Sequence, residues 1–239
     1  MSEKSYKAYY KELYAIQDGV FKIVEDYDFY LTGGTALSRF YLNHRYSDDL
    51  DFFVHQKVGF LAAVKEITAK LKTQFNLETR LMTTDFAQVF IHTDAFYKTY
   101  RERFQARLKI DFVNELEIPR FGELNRLKAF SRIDNLRNML SNKLTAVTRL
   151  EPKDVADIWF ICKNFSFKWK KIIHEAEQKE AIDELMIFDL LKTFPLHMFD
   201  QIRWVDPIKT EDFEKDRQVI LQDILTGGAN SLSNESEPE

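Results

Sequence analysis

Ser47-Asp48-Asp49-Leu50-Asp51-Phe52 is the stretch with the most chemical content in this 239-residue chain. On an extended strand alternate side chains share a face, so Asp49 and Asp51 project together, roughly 7 Å apart. Leu50 and Phe52 then turn to the core. Two carboxylates this close repel, and without a cation at least one tends to protonate. A hard divalent cation removes the conflict: Mg²⁺ takes oxygen ligands and is commonly held by one or two carboxylates plus substrate phosphates. A third acid, Asp111, lies inside the apolar run Lys109-Ile110-Asp111-Phe112-Val113. Alone, that run reads as an edge strand with Lys109 and Asp111 facing solvent. Brought beside Asp49 and Asp51 by sheet pairing, Asp111 would complete a triad able to hold two metals, which activate an attacking oxygen and neutralise a transferred phosphate.

A glycine turn precedes the acids. Phe29-Tyr30-Leu31 stops at Thr32-Gly33-Gly34, and Ala36, Leu37, Phe40 and Tyr41 then follow at helical spacing. Glycines let backbone N–H groups approach an anion, and a helix N-terminus adds a favourable dipole. GGTALSR lacks the Gly-Lys-Ser/Thr ending of a Walker loop, and no GxGxxG is present. The pair therefore reads as a plain turn or a short phosphate-binding one.

The elements that must carry these residues follow from periodicity. Tyr10, Leu13, Tyr14, Val20, Phe21 and Val24 mark N-terminal helix, and Leu61, Val64, Ile67 and Leu71 a later one. Strands are expected at Phe29–Leu31, Asp49–Val54, Leu77–Met82, Phe86–Thr93 and Leu108–Val113. Beyond Pro119 helical spacing dominates: Leu136 to Leu150, a helix opening at Glu151-Pro152 with Pro at its first position, then 180–194 and 212–225. The expected class is α+β, a small mixed sheet flanked by helices with a helical C-terminal region. The expected boundaries are 1–118 for the sheet with its N-terminal helices, 119–226 for the helical region, and 227–239 (GGANSLSNESEPE) for a polar, disordered tail.

Composition narrows the class further. With 45% hydrophobic and 30% charged residues the chain is neither disordered nor a membrane protein. No window approaches the roughly 20 apolar residues of a membrane span, and the charged start lacks a signal-like apolar stretch, so a cytoplasmic location is expected. One cysteine, Cys162, excludes an internal disulfide. Five scattered His form no HExxH, and no GxSxG is present, so zinc and serine-hydrolase chemistry lack support. The net charge of −4 excludes a wholesale nucleic-acid coat. Between Arg120 and Arg149, however, seven basic residues (Arg120, Arg126, Lys128, Arg132, Arg137, Lys143 and Arg149) face only Glu123 and Asp134. They read as a solvated helix face or as a cationic wall for polyphosphate or RNA. Tyr97, Tyr100, Arg101, Arg103 and Arg107 offer a second RNA contact, or the solvated side of an element.

A glycine turn, a short helix, Asp-x-Asp on the next strand and a later single Asp resemble the DNA polymerase β-like nucleotidyltransferase fold. More narrowly, LTGGTALSRFYLNHRYSDDLDFFV and MLSNKLTAVTRLEPKDVADIWFI resemble motifs of the AbiEii/AbiGii-type toxin nucleotidyltransferases. The resemblance implies Mg²⁺-dependent transfer of a nucleotidyl group from an NTP to an acceptor hydroxyl, with Mn²⁺ as an alternative metal. It implies Gly33 and Gly34 as the phosphate turn, Ser47 as the small polar residue before the acids, and Asp49 and Asp51 as metal ligands. Asp111 is then the third carboxylate, Lys143 the helix-borne Lys that meets the triphosphate, and Asp154, or Asp157 one turn on, the last acid. Lys153 departs from an expected Arg, and with Asp157 reads otherwise as an i,i+4 ion pair. The resemblance also implies a nucleotide cleft between sheet and helices, a tRNA or protein acceptor, and a separately encoded antitoxin. The competing readings are a small-molecule, aminoglycoside-type nucleotidyltransferase and a non-catalytic nucleotide-binding module.

Overall fold

Strands that alternate buried and half-exposed residues build the sheet. The computed structural model describes residues 3–92 and 107–233. Seven strands, β1 Tyr30–Thr32, β2 Leu50–Val54, β3 Asn76–Met82, β4 Phe86–His92, β5 Arg107–Asn114, β6 Asn125–Leu127 and β7 Phe130–Ile133, form one mixed sheet in the order β3-β4-β5-β2-β1-β7-β6. β2 and β5 run parallel, β1 and β7 also, and the other neighbours are antiparallel. The α+β class expected from the sequence is observed, with each of the five expected strands in place.

One sheet face is apolar. Leu50, Phe52, Val54, Leu108, Ile110 and Phe112 are buried there. Two helices belong to the same unit, α1 Glu3–Val24 and α3 Phe60–Lys72, the number α2 going to the single turn Gly33–Ala36. From α1, Phe21 sits 6.2 Å from the Phe52 ring and 5.5 Å from Phe130, while Phe29 lies 5.2 Å from Phe112 and 5.9 Å from Phe60 of α3. Each such ring, fully buried, contributes roughly 1.5–3 kcal/mol of transfer free energy. By the same alternation Asp51, Lys109 and Asp111 stand on the other face.

The β6–β7 hairpin falls inside 119–226, the region expected to be helical. Three- and four-residue strands carry too little alternation to register in a sequence window, and charged residues interrupt them. Arg132 of β7 anchors the hairpin: its guanidinium donates to the Glu25 carbonyl at 2.6 Å, the Phe29 carbonyl at 3.1 Å and the Tyr27 carbonyl. It satisfies the backbone where α1 ends.

The chain forms two compact units and crosses between them repeatedly. One takes the described residues up to Ala36 and those of Ser47–Glu117 and Leu124–Asp134; the other takes Leu37–Tyr46, Ile118–Glu123 and the described residues from Asn135 onward. A single boundary at 118–119 does not describe this. β7 belongs with β1, where Leu31 pairs Ile133, and residues 37–46 belong with the later helices through ion pairs described below.

The second unit holds α4 Leu136–Ala146, α5 Pro152–Asn164, α6 Trp169–Glu177, α7 Glu184–Thr193 and α8 Thr210–Thr226. Pro152 opens α5 as expected, and Asn135 caps α4 by accepting from the Asn138 N–H. Trp159, Phe199 and Phe213 pack together, and the Trp159 indole N–H donates to Asp216 at 2.7 Å. The expected disordered tail is packed as far as it is described. Gly227 caps α8 at φ +62°, the Asn230 amide donates to the Cys162 and Phe165 carbonyls, and Ser231 N–H donates to Asp223. Residues 234–239 lie outside the described residues, as do Tyr97, Tyr100, Arg101 and Arg103. Among the described residues no helix is long and apolar enough to cross a membrane.

Candidate active site

β5 is an inner strand, so the solvent-edge reading of Lys109 and Asp111 does not hold. Parallel pairing sets Asp51 directly beside Asp111. The Lys109 ammonium, two residues before Asp111 and on the same face, donates to Asp111 Oδ2 at 3.0 Å and reaches Asp49 Oδ2 at 3.3 Å. The Gln88 amide, across the β4–β5 ladder, donates to Asp111 Oδ1 at 2.9 Å. The three acids thus all lie in the sheet unit, Asp51 and Asp111 on neighbouring strands. Burial alone would lower the Lys109 pKa, but Asp49, Asp111 and Asp51 outweigh it and hold the ammonium above its ordinary value.

The glycine turn is packed against the acids. Antiparallel pairing places Thr32 opposite Asp51, and the next residue, Gly33, has φ +72°. A Cβ built on Gly33 would stand 2.4 Å from Asp51 Oδ2. That is inside contact distance, so the absent side chain is what admits the carboxylate. The Thr35 hydroxyl bonds the Ser47 hydroxyl at 2.9 Å and the Asp49 carbonyl, tying the turn to the strand that carries the acids. Gly33→Ala is therefore expected to shift Asp51 and cost at least about tenfold in transfer, equivalent to ~1.4 kcal/mol, with a further ~1 kcal/mol of stability from the strained φ. Turnover and urea unfolding of the variant measure the two effects separately.

Lys143 and Asp154 lie in the other unit, inside a buried ion network. Asp157, fully buried, accepts from Arg45 Nε at 2.7 Å, Arg45 NH2 at 2.7 Å and His44 Nε2 at 2.8 Å, and pairs with Lys143 Nζ at 2.6 Å. Lys143 also donates to Asp154 Oδ1 at 2.7 Å, and Arg149 to Asp154 Oδ2 at 2.7 Å. Burial favours the neutral form of Asp157, yet Arg45 and Lys143 overcome it and hold the carboxyl well below the usual range. Burial likewise pulls Lys143 down, and Asp157 and Asp154 reverse it, leaving the ammonium above its ordinary value. His44 is lowered, chiefly by burial. Lys153 is exposed on α5 while Asp157 is buried among other partners, so the i,i+4 pair between them does not form.

Residues 20–230 match the family described as nucleotidyl transferase AbiEii toxin, type IV TA system. The chain belongs to the AbiEii family. It is a nucleotidyltransferase of that toxin family. Two solved structures from Helicobacter pylori share its fold. The crystal structure of JHP933 aligns with TM-score 0.60 and 20% identity over 95% of this chain and 94% of that one. A protein named as a candidate nucleotidyltransferase aligns with TM-score 0.62 and 18% identity over 95% and 96%. No curated protein matches the chain in sequence.

Among the described residues no three His, Cys, Asp or Glu side chains stand together closely enough to hold a metal ion. The donor set nonetheless fits a hard cation. It offers carboxylate oxygens only, positive charge already stands between Asp49 and Asp111 on Lys109, and Mg²⁺ commonly completes its shell with water and substrate oxygens.

Several site residues carried no sequence signal. Lys109, Gln88 and Thr35 act through pairings that only the fold creates. His44 and Arg45 meet an acid more than a hundred positions away. For Asp157 a signal existed, its place three residues after Asp154 on one helix face, and both acids sit in the buried ion network.

The basic residues of 120–149 are divided between the two units. Arg126, Lys128 and Arg132 belong to the sheet unit; Arg120, Arg137, Lys143 and Arg149 belong to the helical one. Arg137 is bound to the buried Glu175 at 2.7 Å, Arg120 donates to the Gly122 carbonyl, and Arg107 covers the Phe90 ring at 4.0 Å. Arg126 and Lys128, at the tip of the β6–β7 hairpin, are exposed.

Proposed function

We propose that this AbiEii protein transfers a nucleotidyl group from an NTP to an acceptor hydroxyl, using Mg²⁺ held by Asp49, Asp51 and Asp111. The observation that carries the reading is the register of β2 and β5, which sets Asp51 beside Asp111 with Lys109 linking Asp111 to Asp49. When bound, the metal neutralises phosphate charge and lowers the pKa of a coordinated hydroxyl. The acceptor oxygen attacks the α-phosphorus in line, the bond to the β-phosphate oxygen breaks, and pyrophosphate leaves. Asp111 takes the acceptor's proton, its orientation supported by the Gln88 amide. Gly33 and Gly34 supply backbone close to the phosphates, and Ser47 with Thr35 holds that turn against the acids. The intact acid set speaks for catalysis over a non-catalytic binding module.

The acceptor reading we favour is RNA, tRNA in particular, supported by the exposed Arg126 and Lys128; a cognate antitoxin is the partner that a type IV system calls for. With only these two of the expected cationic stripe exposed at the hairpin tip, their contribution to RNA binding is modest. Each phosphate contact to a single strand adds a salt slope of about −0.7. Reversing both to Glu should flatten the slope of RNA labelling by about 1.4 in log–log terms. Incubation with each labelled NTP, Mg²⁺ and total RNA or lysate shows which molecule acquires label. Label on protein, or salt-independent labelling with the double reversal silent, removes the RNA acceptor and leaves the transfer reaction standing. Label on neither, with every NTP tried, removes the transfer reading.

A further inference from the structure

We propose that Lys109 is a built-in counter-cation of the acid face, which holds Asp49 and Asp111 together in the metal-free protein and must swing away for a divalent cation to enter. The inference rests on the reading of Asp49, Asp51 and Asp111 as metal ligands. It adds that metal uptake is a competition inside the chain.

Three observations carry it. Lys109 and Asp111 are two apart on β5 and therefore share a face. The ammonium contacts carboxylates from two different strand segments, Asp111 at 3.0 Å and Asp49 at 3.3 Å, so it stands between the groups a metal would bridge. Its side chain is 27% exposed, against 14% for Asp111, so the head is reachable from solvent on its flexible four-carbon stem. Neighbouring carboxylates repel each other, and the Lys109 ammonium stands between Asp49 and Asp111, where that repulsion acts. A divalent cation brought to the same oxygens would repel the ammonium at contact distance, so the two cannot share the position. The arrangement holds the two acids in place and weakens metal affinity.

Mn²⁺ titration followed by electron paramagnetic resonance, on the full chain without nucleotide, tests this. Lys109→Met should bind Mn²⁺ at least about tenfold more tightly than the wild type, because the competing charge is gone. Lys109→Arg, which keeps a cation there, should stay within about threefold of the wild type. Thermal melts without metal should show Lys109→Met less stable, with a larger rise on adding Mn²⁺. A second readout needs no variant. Acylation of Lys109, followed by peptide mass spectrometry, should increase as Mn²⁺ saturates, while the exposed Lys65 of α3 stays constant. If Asp51→Asn loses Mn²⁺ but Lys109→Met matches the wild type and Lys109 acylation is unmoved, the acids hold metal and the counter-cation role is wrong. If the wild type and Asp51→Asn take up Mn²⁺ alike, the metal assignment fails and this inference with it.

Discussion

Asp51→Asn is expected to abolish nucleotidyl transfer, by three orders of magnitude or more, while the protein still folds. A loss of that size corresponds to roughly 4 kcal/mol of transition-state stabilisation. Asparagine keeps the shape that fits against Gly33, so the turn need not move, but it removes the charge that a hard cation requires. The fold has little at stake in that charge. Asp51 is half-exposed on the polar sheet face, and its strand is held by Leu50, Phe52 and Val54 on the other. Relief of repulsion from Asp49 and Asp111 should leave stability unchanged or slightly raised. Asp49→Asn should behave alike. Wild-type turnover in either variant would break the assignment of the pair, whereas lost turnover with an equal loss of stability would make it structural.

Lys143→Met is the second large effect, and it falls on stability. Removing the ammonium leaves buried Asp154 and Asp157 short of a partner, and breaking one side of a buried ion pair costs about 3–5 kcal/mol. Against a total of about 5–15 kcal/mol for ordinary domains, that is a large share. An exposed helix-face lysine would change stability by less than ~0.5 kcal/mol. Urea unfolding separates the two. The resemblance gives Lys143 a role at the triphosphate; in the structure two of its three ammonium donors are directed to Asp154 and Asp157. Loss of nucleotide affinity in a destabilised variant must therefore be measured well below its unfolding midpoint.

The same network fixes a pH dependence. His44 is lowered in the folded protein, so the unfolded chain binds its proton first and stability falls as pH drops below ~6.5. Asp157 is depressed, so its contribution is present above the unfolded value near ~3.9 and is lost below it, as pH falls toward the folded pKa. Lys143 is raised, so its contribution is present below ~10.4 and is lost as pH rises through the folded pKa. Melting temperature should plateau near neutrality and decline on both sides. A Lys143→Met variant should lose the Lys143 share of the alkaline limb and keep that of Lys109.

What the sequence disclosed follows what local pattern can encode. Asp49, Asp51 and Asp111 were legible because each interrupts an apolar strand at an alternating position, and the turn at Gly33 because two glycines end such a strand. Why Gly33 must lack a side chain was not legible, since Asp51 meets it across a strand pair. Lys109 passed as a solvent-facing charge because sequence spacing does not say which carboxylates an ammonium will reach. Along the sequence 120–149 reads as one run of cations, whatever each of them meets in the fold. Folding turns Arg132 onto backbone carbonyls and Arg137 onto Glu175, and divides the rest between units. The polar tail segment 227–233 packs because Asn230 and Ser231 satisfy buried partners, which composition does not reveal.

The crossing of the chain between units also sets when, during synthesis, the enzyme can exist. β1 cannot gain its β7 neighbour until Ile133 has been made, and Arg45 cannot find its acid until Asp157 has followed. Pairings this far apart in sequence form late and slowly. A nascent chain ending before residue 157 has Asp49, Asp51 and Asp111 but leaves Arg45 without its counter-charge. Growing from its N-terminus, the chain carries these three acids well before the pairings that complete its fold can form.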